Sequence, residues 1–152
     1  MPRKLTLSNS STDEYRMVAV VSNMRDYRLT FSLNQALDMD FIRYDDLAYT
    51  RSGSIMCLYP WFCYQDRQVL TSFYLVGNKH MGGSLIPSVK NADFILLIKN
   101  MMDPEKIKDC LSKIRSIPNI VTAMEVPLDS VKDLEALLDT NELHELEQLA
   151  GG

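Results

Sequence analysis

Few side chains in this sequence have the types and the spacing that catalysis or metal binding requires. The two histidines, His80 and His144, lie far apart in the chain, and neither has a second ligand four residues away. The three cysteines, Cys57, Cys63 and Cys110, are an odd number and lack the spacing of a zinc site. We therefore predict no catalytic residue, no metal site and no cofactor, and we expect the cysteines to be buried free thiols in a reducing cytoplasm.

Cationic and aromatic side chains are better candidates, because they can bind a ligand without catalysing a reaction. Arg25 and Arg28 lie near the predicted start of the first helix, and Lys79 and His80 lie in a glycine-containing loop. With Trp61, these four residues are the predicted ligand or phosphate contacts. A modest phosphate-binding face would consist of Arg25, Arg28, Lys79 and Lys90. For RNA, five aromatic rings could serve as stacking platforms, with core packing as the alternative: Tyr59, Trp61, Tyr64, Phe73 and Tyr74.

The clearest element that positions such residues runs from residue 93 to residue 126. Residues 94–98 form an unbroken apolar run, which is typical of a central strand that is covered on both faces. Asp103 then caps a helix, Pro104 occupies its first position, and apolar residues recur at three- and four-residue steps up to Ile117. Residues 120–126 follow as a second strand, which we expect to be parallel to the first.

An earlier stretch, residues 17–46, repeats this pattern. Residues 17–21 predict a strand, Asp26 predicts a helix cap, and Phe41 and Ile42 open a second strand. The tetrapeptide Asn-Met-x-Asp starts at Asn23 and again at Asn100, although a cap preference explains the repeat without duplication. The sequence therefore predicts an α+β fold with two βαβ units, in a ferredoxin-like or ACT-like layout.

An antiparallel hairpin is predicted between the two units. Residues 55–64 are the richest apolar stretch, but Pro60 cannot donate a hydrogen bond to a neighbour, so this strand is expected to be an edge strand or to bulge there. Residues 68–76 return as the second strand. We expect the hairpin to join one mixed sheet whose helices cover one face and leave the other face uncovered.

The last part of the chain is predicted to be an acidic helix and tail, residues 128–152, after a core domain of residues 1–127. Its second half presents Leu143, Leu146 and Leu149 at three-residue spacing, and we predict that these leucines bind a partner or a second copy of the protein. The alternative is an amphipathic helix packed on its own domain. If the partner hypothesis holds, removal of residues 140–152 leaves the melting temperature nearly unchanged.

Composition indicates a globular protein without a membrane span or a secretion signal. Of the 152 residues, 46% are hydrophobic and 24% are charged, which is ordinary for a folded cytoplasmic domain. The net charge is −4, and residues 129–152 alone carry −6, so the rest of the chain carries +2. This small surplus is too weak to indicate nucleic-acid binding by itself.

One segment resembles a known family. Residues 86–94 keep Ile86, Pro87 and Asp93 of the motif IPExxxVDY, but Ser88 replaces the motif glutamate, and Ala92 and Phe94 replace its valine and tyrosine. The chain thus resembles the IPExxxVDY family, a group of small bacterial proteins found mainly in Bacteroidetes. Residues 26–29 and the pair Asn78–Lys79 extend the resemblance over about residues 4–99. It implies no activity, because none is established for the family.

These observations favour a non-enzymatic interaction or regulatory protein of the bacterial cytoplasm, which contacts a protein partner or another protomer, for example as a homodimer. One alternative is an RNA-binding accessory protein. A second alternative is an ACT-like regulatory domain that binds a small metabolite near the starts of its helices.

Overall fold

A computed structural model describes residues 14–50, 55–101 and 103–150 of the chain. The first 13 residues of the predicted core domain and the last two of the predicted tail lie outside the described residues. In chain order, the strands and helices are β1 (Tyr15–Ser22), α1 (Asp26–Leu37), β2 (Ile42–Arg43), β3 (Leu47–Thr50), β4 (Met56–Tyr59), β5 (Trp61–Asp66), β6 (Thr71–Gly77), β7 (Phe94–Lys99), α2 (Pro104–Arg115), β8 (Ile120–Glu125) and α3 (Leu134–Ala150).

The fold is α+β, as predicted, but the sheet is antiparallel instead of mixed. Six strands are arranged in the order β2-β5-β6-β7-β1-β8, and every neighbouring pair is antiparallel. β7 and β8 run in the same direction, but β1 lies between them and pairs with both. The prediction of a mixed sheet was wrong because hydrophobic pattern predicts a strand and its burial but does not identify the neighbouring strands.

Local sequence explains where the helices begin. Asp103 accepts a hydrogen bond from the Glu105 N–H at 2.9 Å, and Pro104 occupies the first turn of α2, as predicted. The cap of α1 differs from the prediction, because Arg25 occupies the N-cap position and Asp26 is already the first helical residue. The Asp26 carboxylate instead accepts the Tyr27 N–H at 2.6 Å, so it still serves a free donor of the first turn.

The apolar stretch around Pro60 divides into two strands of different sheets. β4 ends at Tyr59 and pairs only with β3 among the described strands, whereas β5 begins at Trp61 and lies inside the main sheet between β2 and β6. The Pro60 carbonyl accepts the Gly77 N–H at 2.9 Å. A Cβ atom on Gly77 would lie 2.8 Å from the Pro60 ring, so only glycine allows this close approach. The predicted hairpin is present as β5–β6.

Both faces of the main sheet are covered, so the prediction of an uncovered face was wrong. On one face, α1 and α2 bury Leu29, Leu33 and Ile114 against strand residues such as Val20 and Leu96. On the other face, the β3–β4 pair and α3 pack against the opposite side of the same strands. Strand β7 has apolar residues on both of its faces, so each face needs a covering layer. A face without one would expose a large apolar surface to water.

Candidate functional site

The start of α1 is where the structure brings together most of the predicted ligand contacts. Two adjoining clefts of about 530 Å³ each open beside the connection between β1 and α1. Arg25 lines both clefts, Arg28 lines the first, and Lys79 and Asp93 line the second. Arg25 and Lys79 are distant in sequence, and the sheet brings them together because β1 and β6 both end near this cleft.

A fully buried asparagine shapes the loop that carries Lys79. The Asn78 amide nitrogen donates to the carbonyl oxygens of Val89 at 3.0 Å and Ala92 at 2.9 Å. Its side-chain oxygen accepts the Ile86 N–H at 2.8 Å. Because these bonds satisfy the buried amide and close the loop on itself, Asn78 fixes the position of the adjacent Lys79.

Asp93 links this loop to β1. One carboxylate oxygen accepts the Ser22 N–H at 2.8 Å, and the other lies 3.1 Å from the Lys79 ammonium. Ile86 is buried in the core and Pro87 opens a short 3-10 turn, so the residues that carry the family resemblance have structural roles here.

The cleft region has two cations that no described carboxylate neutralises. Asp26 pairs with Arg43 at 2.8 Å and Asp93 pairs with Lys79, so both nearby carboxylates are neutralised. Arg25 and Arg28 are exposed and form no ion pair with any other described residue. The start of α1 therefore has a local positive surplus, although the chain as a whole is acidic.

The other two predicted ligand contacts have different surroundings. His80 is exposed, its Nδ1 accepts the Gly82 N–H at 2.8 Å, and it lines a separate hollow with Lys79 and Lys90. Trp61 is fully buried, which excludes direct contact between its ring and a ligand at the surface in this structure.

The aromatic group of the RNA hypothesis is mostly in the core. Tyr59, Trp61, Phe73 and Tyr74 are each at most 2% exposed, and Tyr64 is half-buried beside Phe73. These rings therefore pack against one another and against the helices, as in the alternative considered from sequence. No flat platform for bases remains at the four buried positions.

The inner face of α3 is attached to the sheet by polar contacts that sequence analysis missed. Trp61 Nε1 donates to the Asn141 oxygen at 2.8 Å, and the ring of His144 lies 4.6 Å from the Trp61 ring. Tyr15 donates to Glu142, and Tyr74 donates to Glu145, each at 2.7 Å. The spacing of these polar residues is a signal that sequence analysis could have used. After the buried Leu138, three polar residues follow at steps of three, one and three: Asn141, Glu142 and Glu145. Residues at such steps share one side of a helix, here the side that faces the sheet.

Burial controls the protonation of the groups under α3. Burial and the nearby carboxylates raise the pKa of Tyr15 and Tyr74 well above the ordinary tyrosine value, so both phenols stay neutral donors. Burial also raises the pKa of Cys63 to about 12, with a smaller contribution from Glu145. On the other face of the sheet, burial raises the pKa of Cys110 in α2 to about 11. These two thiols are therefore protonated at neutral pH and are poor nucleophiles.

The opposite side of α3 presents two of the three leucines predicted to bind a partner. Leu143 is 58% exposed and Leu146 is 65% exposed, one helical turn apart. The exposed acids Asp139 and Glu147 lie on the same side, and neither forms an ion pair within the described ranges. We call these four residues the α3 outer face. Leu149 is half-buried and lines a hollow beside Tyr44 instead.

A second apolar surface lies on α1, on the other side of the sheet. Tyr27 is 64% exposed and Phe31 is 62% exposed, and the two rings project from the helix one turn apart. Arg25 and Arg28 flank Tyr27 in the chain. We call these four residues the α1 outer face, and it was not predicted from sequence as a binding surface.

Within residues 14–50, 55–101 and 103–150, no three histidine, cysteine, aspartate or glutamate side chains are grouped so that they could hold a metal ion. None of the helices in these ranges combines the length and the apolar character of a membrane-spanning segment.

Comparison of the chain with protein-family models, with curated proteins and with solved structures gives no match in any of the three.

Proposed function

We propose that the protein is a non-enzymatic interaction protein and that the α3 outer face is its docking surface. The partner is a protein whose surface combines apolar side chains with basic ones, because Leu143 and Leu146 need apolar contacts and Asp139 and Glu147 need cations. This chemistry disfavours a partner whose contact surface is acidic, because like charges would meet at the rim of the contact.

The observation that carries this proposal is the rigid attachment of exposed leucines. Leu143 and Leu146 lie on the same two turns as Asn141, Glu142 and Glu145, whose side chains are bonded to the sheet. A helix held in this way presents its outer side chains in fixed positions, and a partner therefore does not have to order a mobile tail when it binds. Two exposed leucines on a flexible tail would bind more weakly, because the tail would lose conformational entropy on binding.

The test compares capture of partners by a tagged Leu143→Gln/Leu146→Gln variant and by wild type. Partners of this surface should stay bound to wild type after nuclease treatment and should be released as the salt concentration rises, because salt screens the rim charges. The variant should not capture these partners. Val69→Gln is the matched control, since Val69 is a similarly exposed apolar residue in the β5–β6 turn. Equal capture by the variant and wild type would contradict the proposal. Capture that depends on nucleic acid in all three proteins would support RNA binding instead.

A second candidate function is binding of a small anionic metabolite at the start of α1. Its support is that Arg25 and Lys79 line one cleft and that Arg25 and Arg28 form no ion pair with another residue that the structure describes. We further infer a ferredoxin-like unit within the sheet, supported by the partial order β8-β1-β7-β6 with α1 and α2 on one face. Regulatory domains of the ACT type share that layout, and this similarity is an analogy of fold only.

Metabolite binding is tested by thermal melting with a panel of phosphate- and carboxylate-bearing metabolites. A ligand of this site should raise the melting temperature of wild type as its concentration rises and should have a much smaller effect on an Arg25→Gln/Lys79→Gln variant. Lys108→Gln, a change at an exposed position of α2, is the control and should respond as wild type does. No ligand-dependent rise for any member of the panel would count against metabolite binding.

A further inference from the structure

We propose that the protein binds a second copy of itself head to tail, with the α3 outer face of one copy docked on the α1 outer face of the next. This inference rests on the proposed function and names the partner. The chemistry required of that partner is an apolar surface with basic residues at its rim, and the α1 outer face of the same chain has both.

The two surfaces correspond in size and composition. Each has two large apolar side chains one helical turn apart, namely Leu143 and Leu146 on α3 and Tyr27 and Phe31 on α1. All four of these side chains are more than half exposed. Aromatic rings and leucines at such spacing pack well between two helices, because the side chains of one helix fit between those of the other.

The charges at the rims are opposite. Asp139 and Glu147 flank the leucines, Arg25 and Arg28 flank Tyr27, and none of the four has an ion pair with another described residue. The helix layer around each surface carries charge of the same sign as the rim of that surface. α3 has five acidic residues and no lysine or arginine, whereas α2, which packs beside α1, has four basic and two acidic residues. Such complementarity steers association and disfavours contacts between two α3 faces.

The location of the two surfaces determines the geometry of the assembly. α3 belongs to the core cluster on one face of the sheet, and α1 belongs to the cluster on the other. One copy can therefore use both surfaces at the same time, with a different neighbour on each. A contact between two different surfaces is heterologous, so it extends into a chain of copies unless the rotation closes a ring.

Two helices offer a small contact area, and interfaces below about 1,200 Å² belong to weak and transient complexes. We therefore expect sedimentation velocity to show a reversible increase in mean mass with protein concentration. The increase should fall as salt is added, because the rim charges are exposed to solvent and are screened. Wild-type protein that sediments as a monomer at every concentration up to about 1 mM would overturn the inference.

The decisive experiment uses two variants, each with one surface altered. Leu143→Gln/Leu146→Gln removes the apolar part of the α3 outer face, and Tyr27→Gln/Phe31→Gln removes that of the α1 outer face. Each variant alone should associate at least about tenfold more weakly than wild type. A mixture of the two should form a one-to-one dimer and nothing larger, because each copy contributes one intact surface.

Val69→Gln serves as the control and should associate as wild type does. All altered side chains are exposed, and unchanged melting temperatures confirm that the variants are folded. The inference is overturned if either variant still associates like wild type. It is also overturned if the mixture stays monomeric, because the intact α1 outer face of one variant should bind the intact α3 outer face of the other.

The outcomes separate this inference from the proposed function. Monomeric wild type together with partner capture that depends on Leu143 and Leu146 would overturn self-association and leave docking on α3 in place. Self-association that survives alteration of Leu143 and Leu146 would overturn this inference alone, whereas equal partner capture by that variant and by wild type would contradict the proposed function.

Discussion

Asn141 combines one satisfied and one unsatisfied polar group in the most buried part of α3. Its side-chain oxygen accepts the Trp61 indole N–H, but its amide nitrogen has no partner among the described residues. A buried unsatisfied donor typically costs about 1–3 kcal/mol. Neighbouring interactions compensate for this cost, since Trp61 is fully buried against the rings of Tyr44 and Tyr74.

The two tyrosines beneath α3 predict how stability depends on pH. In an unfolded chain a tyrosine loses its proton near pH 10, whereas burial keeps Tyr15 and Tyr74 protonated to higher pH in the folded protein. Above about pH 10 the unfolded chain binds fewer protons than the folded protein does. The free energy of the unfolded state therefore falls relative to that of the folded state as the pH rises. Stability is then lost by about 1.4 kcal/mol per pH unit for each tyrosine, and below that pH this contribution is constant.

Urea unfolding of wild type and of a Tyr15→Phe/Tyr74→Phe variant between about pH 8 and pH 11 measures this effect. The variant should lose less stability at high pH, because it lacks both phenols. A smaller decrease should remain in the variant from about pH 9, since burial raises the pKa of Cys63 to about 12 and that of Cys110 to about 11. Identical slopes above pH 10 in the two proteins would show that the phenols ionise in the folded state as readily as in the unfolded chain.

At the scale of elements, the two halves of α3 are attached to the sheet by different interactions. The first half contributes Leu137 and Leu138 to the core, and both are almost fully buried. The second half contributes polar side chains, including Glu145, which accepts hydrogen bonds from Tyr74 at 2.7 Å and Gln65 at 2.6 Å. The second half is therefore part of the folded core, although it also carries the exposed leucines.

Removal of residues 140–152 should consequently destabilise the protein, in contrast to the expectation from sequence of a nearly unchanged melting temperature. The truncation deletes Asn141, Glu142 and Glu145 and uncovers Trp61, so we expect a loss of at least about 2 kcal/mol in unfolding free energy. Thermal and urea unfolding measure it. Removal of residues 150–152 is the control and should cost little, because Ala150 is exposed. A full truncation that melts like wild type would show that these polar contacts do not stabilise the fold.

At the scale of the whole molecule, the two-sided sheet separates the charges of the chain. The acidic α3 and the more basic α2 lie on opposite faces of the same six strands. The net charge of −4 therefore gives little information about any one surface, because the positive surplus at the start of α1 and the acids of α3 lie on opposite faces of the sheet. The two faces of the sheet therefore differ in electrostatic potential.

The sequence determined those features that depend on residues close together in the chain. The cap at Asp103, the β5–β6 hairpin and the buried central strand β7 are local, because hydrogen bonds over a few residues and the pattern of apolar side chains define them. The continuous apolar run of β7 also implied that both faces are covered, and this implication contradicts the expectation of an uncovered sheet face.

Only the tertiary structure decided how these elements combine. The position of β1 between β7 and β8 depends on backbone pairing between distant segments, which side-chain pattern does not specify. The meeting of Arg25 with Lys79 and the bond between Trp61 and Asn141 likewise join residues far apart in sequence. Such contacts result from packing of the whole chain, so the candidate surfaces are visible only after folding, whereas the elements that carry them could be read locally.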